Sequence, residues 1–135
     1  MIRLELDLKL GIQGEKTEIV SESNTAIQYG SGNLPVYATP AMVGLMEGAA
    51  AASVEPKLLE GMSTVGISLT IQHLAATPLG MNVRAVSELI DVNGKKLRFN
   101  VTAFDEKEKI GEGTHERFIV SADKFLQKAQ AKSKP

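Results

Sequence analysis

The stretch TPAMVGLMEGAAAASV, Thr39–Val54, decides how this chain folds. A threonine followed by proline is a helix N-terminus signal. Thr39 reads as the N-cap and Pro40, whose missing N–H costs nothing there, as the first helical residue. The next breaker is Pro56, so the pattern predicts a helix running to about Ala52 or beyond. Between Pro40 and Val54 only Glu47 and Ser53 are polar. A helix apolar on nearly every side has to be covered by protein on most of them. Gly44, Gly48 and Ala49–Ala52 allow a sheet or another helix to come close.

Strand patterns flank this helix. Ile2, Leu4, Leu6, Leu8 and Leu10 alternate with charged residues and predict an N-terminal strand; residues 16–21 predict a second, short one or a continuation of the first after GIQGE. Residues 22–38 mix Gly, Ser, Asn and Pro and read as a loop or lid, with one helical turn near Asn24–Gln28. After the helix, Val65, Ile67, Leu69, Ile71 and His73 fall on one face of a strand, and Ser68, Thr70 and Gln72 on the other. Residues 80–91 predict a further strand, and Asn93-Gly94 a hairpin turn. Leu97, Phe99, Val101 and Ala103 then alternate inward. A charged turn at 106–109 leads to a last strand over 110–120, where Gly111 and Gly113 signal a bulge or close packing. Ser121 or Asp123 is positioned to cap a C-terminal helix over 122–132, ahead of a basic tail expected to fray. The sum is an α+β fold, with an antiparallel sheet curled around one central helix in a single domain, 1–135.

Composition removes several function classes. A net charge of −1 with scattered basic residues argues against nucleic acid. No run of about 20 apolar residues is present to span a bilayer, and the alternating N-terminus is unlike a signal peptide. The absence of cysteine excludes disulfides and thiolate chemistry and fits a cytoplasmic setting. With two histidines, His73 and His115, no multi-histidine metal site is expected.

What chemistry remains rests on Glu47, His73 and Thr39. A carboxylate in a covered helix is costly unless it faces a gap, pairs with a cation or lines a pocket. His73 stands in phase with Ile67, Leu69 and Ile71, on the face that should meet that helix. A lone histidine there is ordinarily a satisfied core residue, but two titratable groups on facing elements form a candidate acid–base pair. Thr39 combines a capping hydroxyl with the positive end of a helix, which favours developing negative charge. Eight helical residues separate Thr39 from Glu47, about 12 Å. Direct contact therefore requires the loop around Thr39 to fold over.

MVGLME (42–47), HLAATPLG (73–80) and GTHER (113–117) resemble the fluoroacetyl-CoA thioesterase family of hot-dog-fold thioesterases, with the spacing between motifs preserved from Thr39 to the C-terminal helix. The first 35 residues match loosely. The resemblance implies a hot-dog fold, usually dimeric with a tetramer left open, and acyl-CoA bound near the dimer interface. It implies hydrolysis of a small acyl-CoA thioester to carboxylate and CoA, with no further cofactor. The family's catalytic threonine, glutamate and histidine fall on Thr39, Glu47 and His73. Its glycine near the thioester falls on Gly66 and its arginine on Arg117, a position that otherwise reads as a surface or structural ion pair. In the lid, where the family has gating phenylalanines, this chain reads YGSGNLPVYA, with Gly30 and Asn33 at the corresponding positions. Asn33 is thus a candidate substrate contact, and fluoroacetyl selectivity is not implied. The alternative reading is a non-catalytic acyl-CoA binding module of the same fold.

Overall fold

A computed structural model describes residues 8–135. Its elements are β1 (Gln13–Ile19), α1 (Ala26–Tyr29), α2 (Thr39–Val54), β2 (Met62–His73), β3 (Asn82–Asn93), β4 (Lys96–Phe104), β5 (Lys109–Ser121) and α3 (Ala122–Gln130). Most of the strand expected over Ile2–Leu10 lies outside the described residues, and Leu8, Lys9 and Leu10 belong to no strand. The short strand expected at 16–21 is β1, displaced toward the N-terminus. It pairs from Gln13 opposite Glu88 to Ile19 opposite Asn82. It stops before Ser21 because that side chain caps the following 3-10 turn, Glu22–Asn24.

The strands form one antiparallel sheet in the order β1-β3-β4-β5-β2. Every strand touches α2, chiefly β1 and β3, so the sheet curls about the helix. Met42, Met46 and Ala49 of α2 meet Leu89, Leu97 and Phe99 of the sheet in a fully buried core. Each large side chain there contributes about 1.5–3 kcal/mol of burial. The inward alternation of Leu97, Phe99, Val101 and Ala103 is as expected. Among the described residues the helix is covered on most sides, as expected, and one side is left more open where the sheet does not reach. Gly44 and Ala52 are exposed, and Val43, Glu47 and Ala51 form a half-buried line one turn apart.

The face assignment on β2 needs correction. Its pairing with β5 slips between Gly66, opposite Arg117, and Ser68, opposite Glu116. Ile67 is the extra residue of a β-bulge, and it stands 50% exposed. Beyond the bulge, Leu69, Ile71 and His73 face α2 as expected. Before it the phase inverts: Thr64 and Gly66 point inward, while Val65 sits opposite the outward Phe118.

The hairpin turn is also one residue later than Asn93-Gly94. Asn93 pairs with Lys96, and Gly94, with φ 64°, opens a Gly94-Lys95 loop. Ser121 occupies the N-cap of α3 without a side-chain capping bond, and the tail expected to fray continues as a 3-10 turn, Ala131–Ser133. Among the described residues no helix is long and apolar enough to cross a membrane.

Candidate active site

The lid over residues 22–38 is tied down at both ends. Asn24 and Ser21 cap each other, and the Ala26 and Ala38 N–H groups donate to Val36 and Asn24 carbonyls. Bridges join Thr25 to Tyr37 and Val36 to Pro78. Tyr37, buried to 1% exposure, donates its hydroxyl to Glu18 Oε2 at 2.5 Å. Burial, reinforced by that carboxylate, holds the phenol well above its ordinary pKa. The lid therefore delivers Thr39 to a fixed place at the head of α2.

There Thr39 does something other than cap. The N-cap position belongs to Ala38, and no side chain caps this end of the helix. The Thr39 hydroxyl is instead engaged by His73 Nδ1, 2.7 Å away. In the tautomer protonated at Nε2, the hydroxyl donates to an imidazole base. Nε2 itself is buried without a well-formed hydrogen bond. Burial lowers the His73 pKa, an effect the Ala75 backbone partly offsets, so the ring is neutral at pH 7. Both residues line a cavity of about 370 Å³ whose other walls include Ala26, Val36, Ala75 and Ala76. Pro40 has no N–H, which leaves the Thr39 and Ala41 amides as the donors of the first helical turn.

Glu47 belongs to a second group. Its Oε2 stands 3.7 Å from Arg117 Nη1. Arg117 is 7% exposed and is held by Thr64: Nε donates to the Thr64 hydroxyl at 2.9 Å and Nη2 to the Thr64 carbonyl at 3.0 Å. Gly66 makes room for the pair, since a Cβ there would fall 2.6 Å from Glu47 Oε2. Burial lowers the pKa of Arg117 from its ordinary value and the Glu47 charge works against that, so the guanidinium stays charged.

Within one chain the expected site thus divides in two. Thr39 meets His73, and Glu47 meets Arg117 and Gly66. Along β2, His73 and Gly66 are about 20 Å apart. Asn33 is exposed in the lid and does not line the cavity beside Thr39. Thr64 and His115, which hold Arg117, escaped the reading of the sequence. Gly66 was the available signal for Thr64, because an isolated glycine in a strand marks a bulge. For His115 it was the two-residue spacing to Arg117. Among the described residues, no group of three or more His, Asp or Glu could hold a metal ion. A larger depression of about 520 Å³ lies on the outward face of the sheet, among Thr70, Gln72, Asn100, Thr102, Glu112 and Thr114, away from both groups.

This helix-in-sheet architecture is the hot-dog fold. A hot-dog-like protein from Thermanaerovibrio acidaminovorans superposes with a TM-score of 0.84 at 24% identity, over 93% of each chain. Sequence narrows the class: a family model described as fluoroacetyl-CoA-specific thioesterase matches residues 20–123, and the chain belongs to that family of thioester hydrolases. The fluoroacetyl-CoA thioesterase of Streptantibioticus cattleyicolor is 41% identical over 98 residues, 73% of this chain and 70% of the relative. A mutant of a fluoroacetyl-CoA thioesterase in complex with acetyl-CoA superposes with a TM-score of 0.88 at 32% identity, covering 94% of this chain and all of that one.

Proposed function

We propose that this protein hydrolyses a small acyl-CoA thioester in the cytoplasm, releasing a carboxylate and CoA, and that Thr39, His73 and Glu47 carry the reaction in a homodimer. The observation that carries the reading is the Thr39–His73 hydrogen bond at the wall of this cavity. The acyl group enters that cavity with its carbonyl beside the head of α2. The first-turn amides of Thr39 and Ala41 stabilise the oxyanion as water adds to the carbonyl carbon and the C–S bond breaks. Neutral His73 accepts at Nδ1 the Thr39 hydroxyl proton as the attacking water passes its own to that hydroxyl, and the proton is then returned to the leaving sulfur.

Glu47 joins through the edge of the sheet. β2 is an edge strand whose Ile67, with Leu74 just beyond its end, is exposed, next to the half-buried line of Val43, Glu47 and Ala51. Such an edge needs covering. Antiparallel pairing of two β2 strands about a dyad between Leu69 and Thr70 sets His73 opposite the partner's Gly66, and hence close to the partner's Glu47. The carboxylate then orients the water over a carbonyl held by Thr39. Arg117 and Gly66 keep it in place.

A panel of acetyl, fluoroacetyl, branched and aromatic CoA esters, assayed with the wild type and with Thr39→Ala, Glu47→Ala and His73→Ala, tests the assignment. Equal hydrolysis by all four proteins would sink it, and ester binding with no wild-type turnover would identify a binding module instead. Mixing the Glu47→Ala and His73→Ala chains tests the shared site. Activity should return to at most about a quarter of wild type, one intact site in each mixed dimer. No recovery in mixed dimers would refute the shared site.

A further inference from the structure

His115 is the least exposed titratable group near Glu47, at 0%, and nothing in the reaction above uses it. Its ring lies against Phe99, with centroids 6.1 Å apart and planes 29° from parallel. Nδ1 is 2.9 Å from the Ser68 carbonyl, and Nε2 is 3.2 Å from Arg117 Nη1. These two contacts fix the tautomer. A carbonyl can only accept, so Nδ1 carries the proton. A guanidinium can only donate, so Nε2 is bare. The same Arg117 Nη1 stands 3.7 Å from Glu47 Oε2.

We propose that His115 is a positioning residue for hydrolysis: with Thr64 it aims the Arg117 guanidinium and so fixes where the Glu47 carboxylate stands. Because its Nδ1 is spent on Ser68, the only acceptor it offers is toward Arg117. Thr64 supplies two further acceptors, so all three guanidinium nitrogens are committed before Glu47 is met. The charged groups felt by the ring are Arg117 and Glu116 on its own strand and Glu47 on α2. Gly66 leaves the ring edge open to the carboxylate, since an added Cβ would sit 3.3 Å from His115 Cε1.

The inference rests on the catalytic reading of Glu47, and a double-mutant cycle separates the two. His115→Phe keeps the stacked ring and removes the acceptor. Its kcat should fall about tenfold, the size of one lost charge-assisted hydrogen bond, with KM little changed. In a Glu47→Gln background the same change should cost little more, because the carboxylate it served is gone. His115→Gln, which can donate to Ser68 and accept from Arg117, should recover most of the loss. Thr64→Val, an isosteric removal of the other side-chain acceptor, gives a second cycle that does not depend on how His115→Phe folds. Wild-type kcat in both His115→Phe and Thr64→Val, or losses that add fully to that of Glu47→Gln, would overturn the inference alone. Wild-type kcat in Glu47→Gln would overturn the catalytic reading of Glu47 and this inference with it.

Discussion

Gly66→Ala separates function from stability at one atom. Its added Cβ would fall 2.6 Å from Glu47 Oε2 and 3.3 Å from Arg117 Nη1. Ordinary contact requires the carboxylate to retreat by about 1 Å. Arg117 cannot follow, because Thr64 and His115 hold it from three directions. A 1 Å misplacement of a positioned group costs about 100-fold in rate, so kcat should drop by that order. Stability should barely change. Gly66 does not have a positive φ, so alanine fits the backbone without strain. Reduced entropy of the unfolded chain stabilises by about 0.5–1 kcal/mol. The atom that must move is the far end of a flexible side chain. Release of the CoA thiol, followed colorimetrically, gives kcat, and thermal unfolding gives Tm. A kcat within twofold of wild type at an unchanged Tm would refute the reasoning, because the carboxylate's position would then not matter.

Thr39→Ala should leave Tm within a degree or two while lowering kcat, since the hydroxyl bonds His73 and does not cap α2; a Tm loss matching a lost N-cap, about 1 kcal/mol, would contradict this. Gly113→Ala should do the reverse. Its Cβ would lie 2.0 Å from the Thr70 carbonyl oxygen, a backbone atom, so a cost of about 2–3 kcal/mol and a Tm drop of roughly 6–12 °C are expected in calorimetry. The pH–rate profile should show an acid limb below the ordinary histidine value of 6.5, because burial lowers the His73 pKa and only the deprotonated ring is a base. Stability should also decline as pH falls below 6.5. Buried His73 and His115 both have lowered pKa values, so the unfolded chain takes up protons that the native state refuses until lower pH. Urea titrations at several pH values on the wild type and on His115→Phe measure the contribution of His115.

The parts of the fold that were legible in the sequence are those governed by a regular period. The run from Pro40 to Val54, and the alternation of Leu97, Phe99, Val101 and Ala103, have one reading each, and the structure follows both. The errors fall where a single residue changes the count. Strict alternation placed Val65 and Ile67 with His73, whereas the bulge at Ile67 turns them outward. Thr39 looked like a cap because a Thr-Pro pair usually is one; a histidine 34 positions away competes for that hydroxyl, and no local pattern reveals it. Glu47 and His73 were expected to face each other within one chain. Instead His73 ends β2, while Glu47 stands at Gly66, seven positions earlier along it. The partners of Arg117 were hidden for the same reason: Thr64 comes into reach only after the phase of β2 has inverted.

The bulge at Ile67 acts as a parity switch. Gly66 and His73 are seven positions apart, an odd interval that in a flat strand would put them on opposite faces. One surplus residue restores the match, so the slot for the carboxylate and the imidazole open toward the same side of the sheet. The spacing between those two positions is therefore a mechanical dimension of the protein. Removing the surplus residue would leave an interval of six, which keeps both groups on one face of a straightened strand, whereas a deletion that left the bulge in place would turn one of the two to the outside. Lengthening the segment by one gives an interval of eight, which keeps the match only if the bulge is lost or a second one forms.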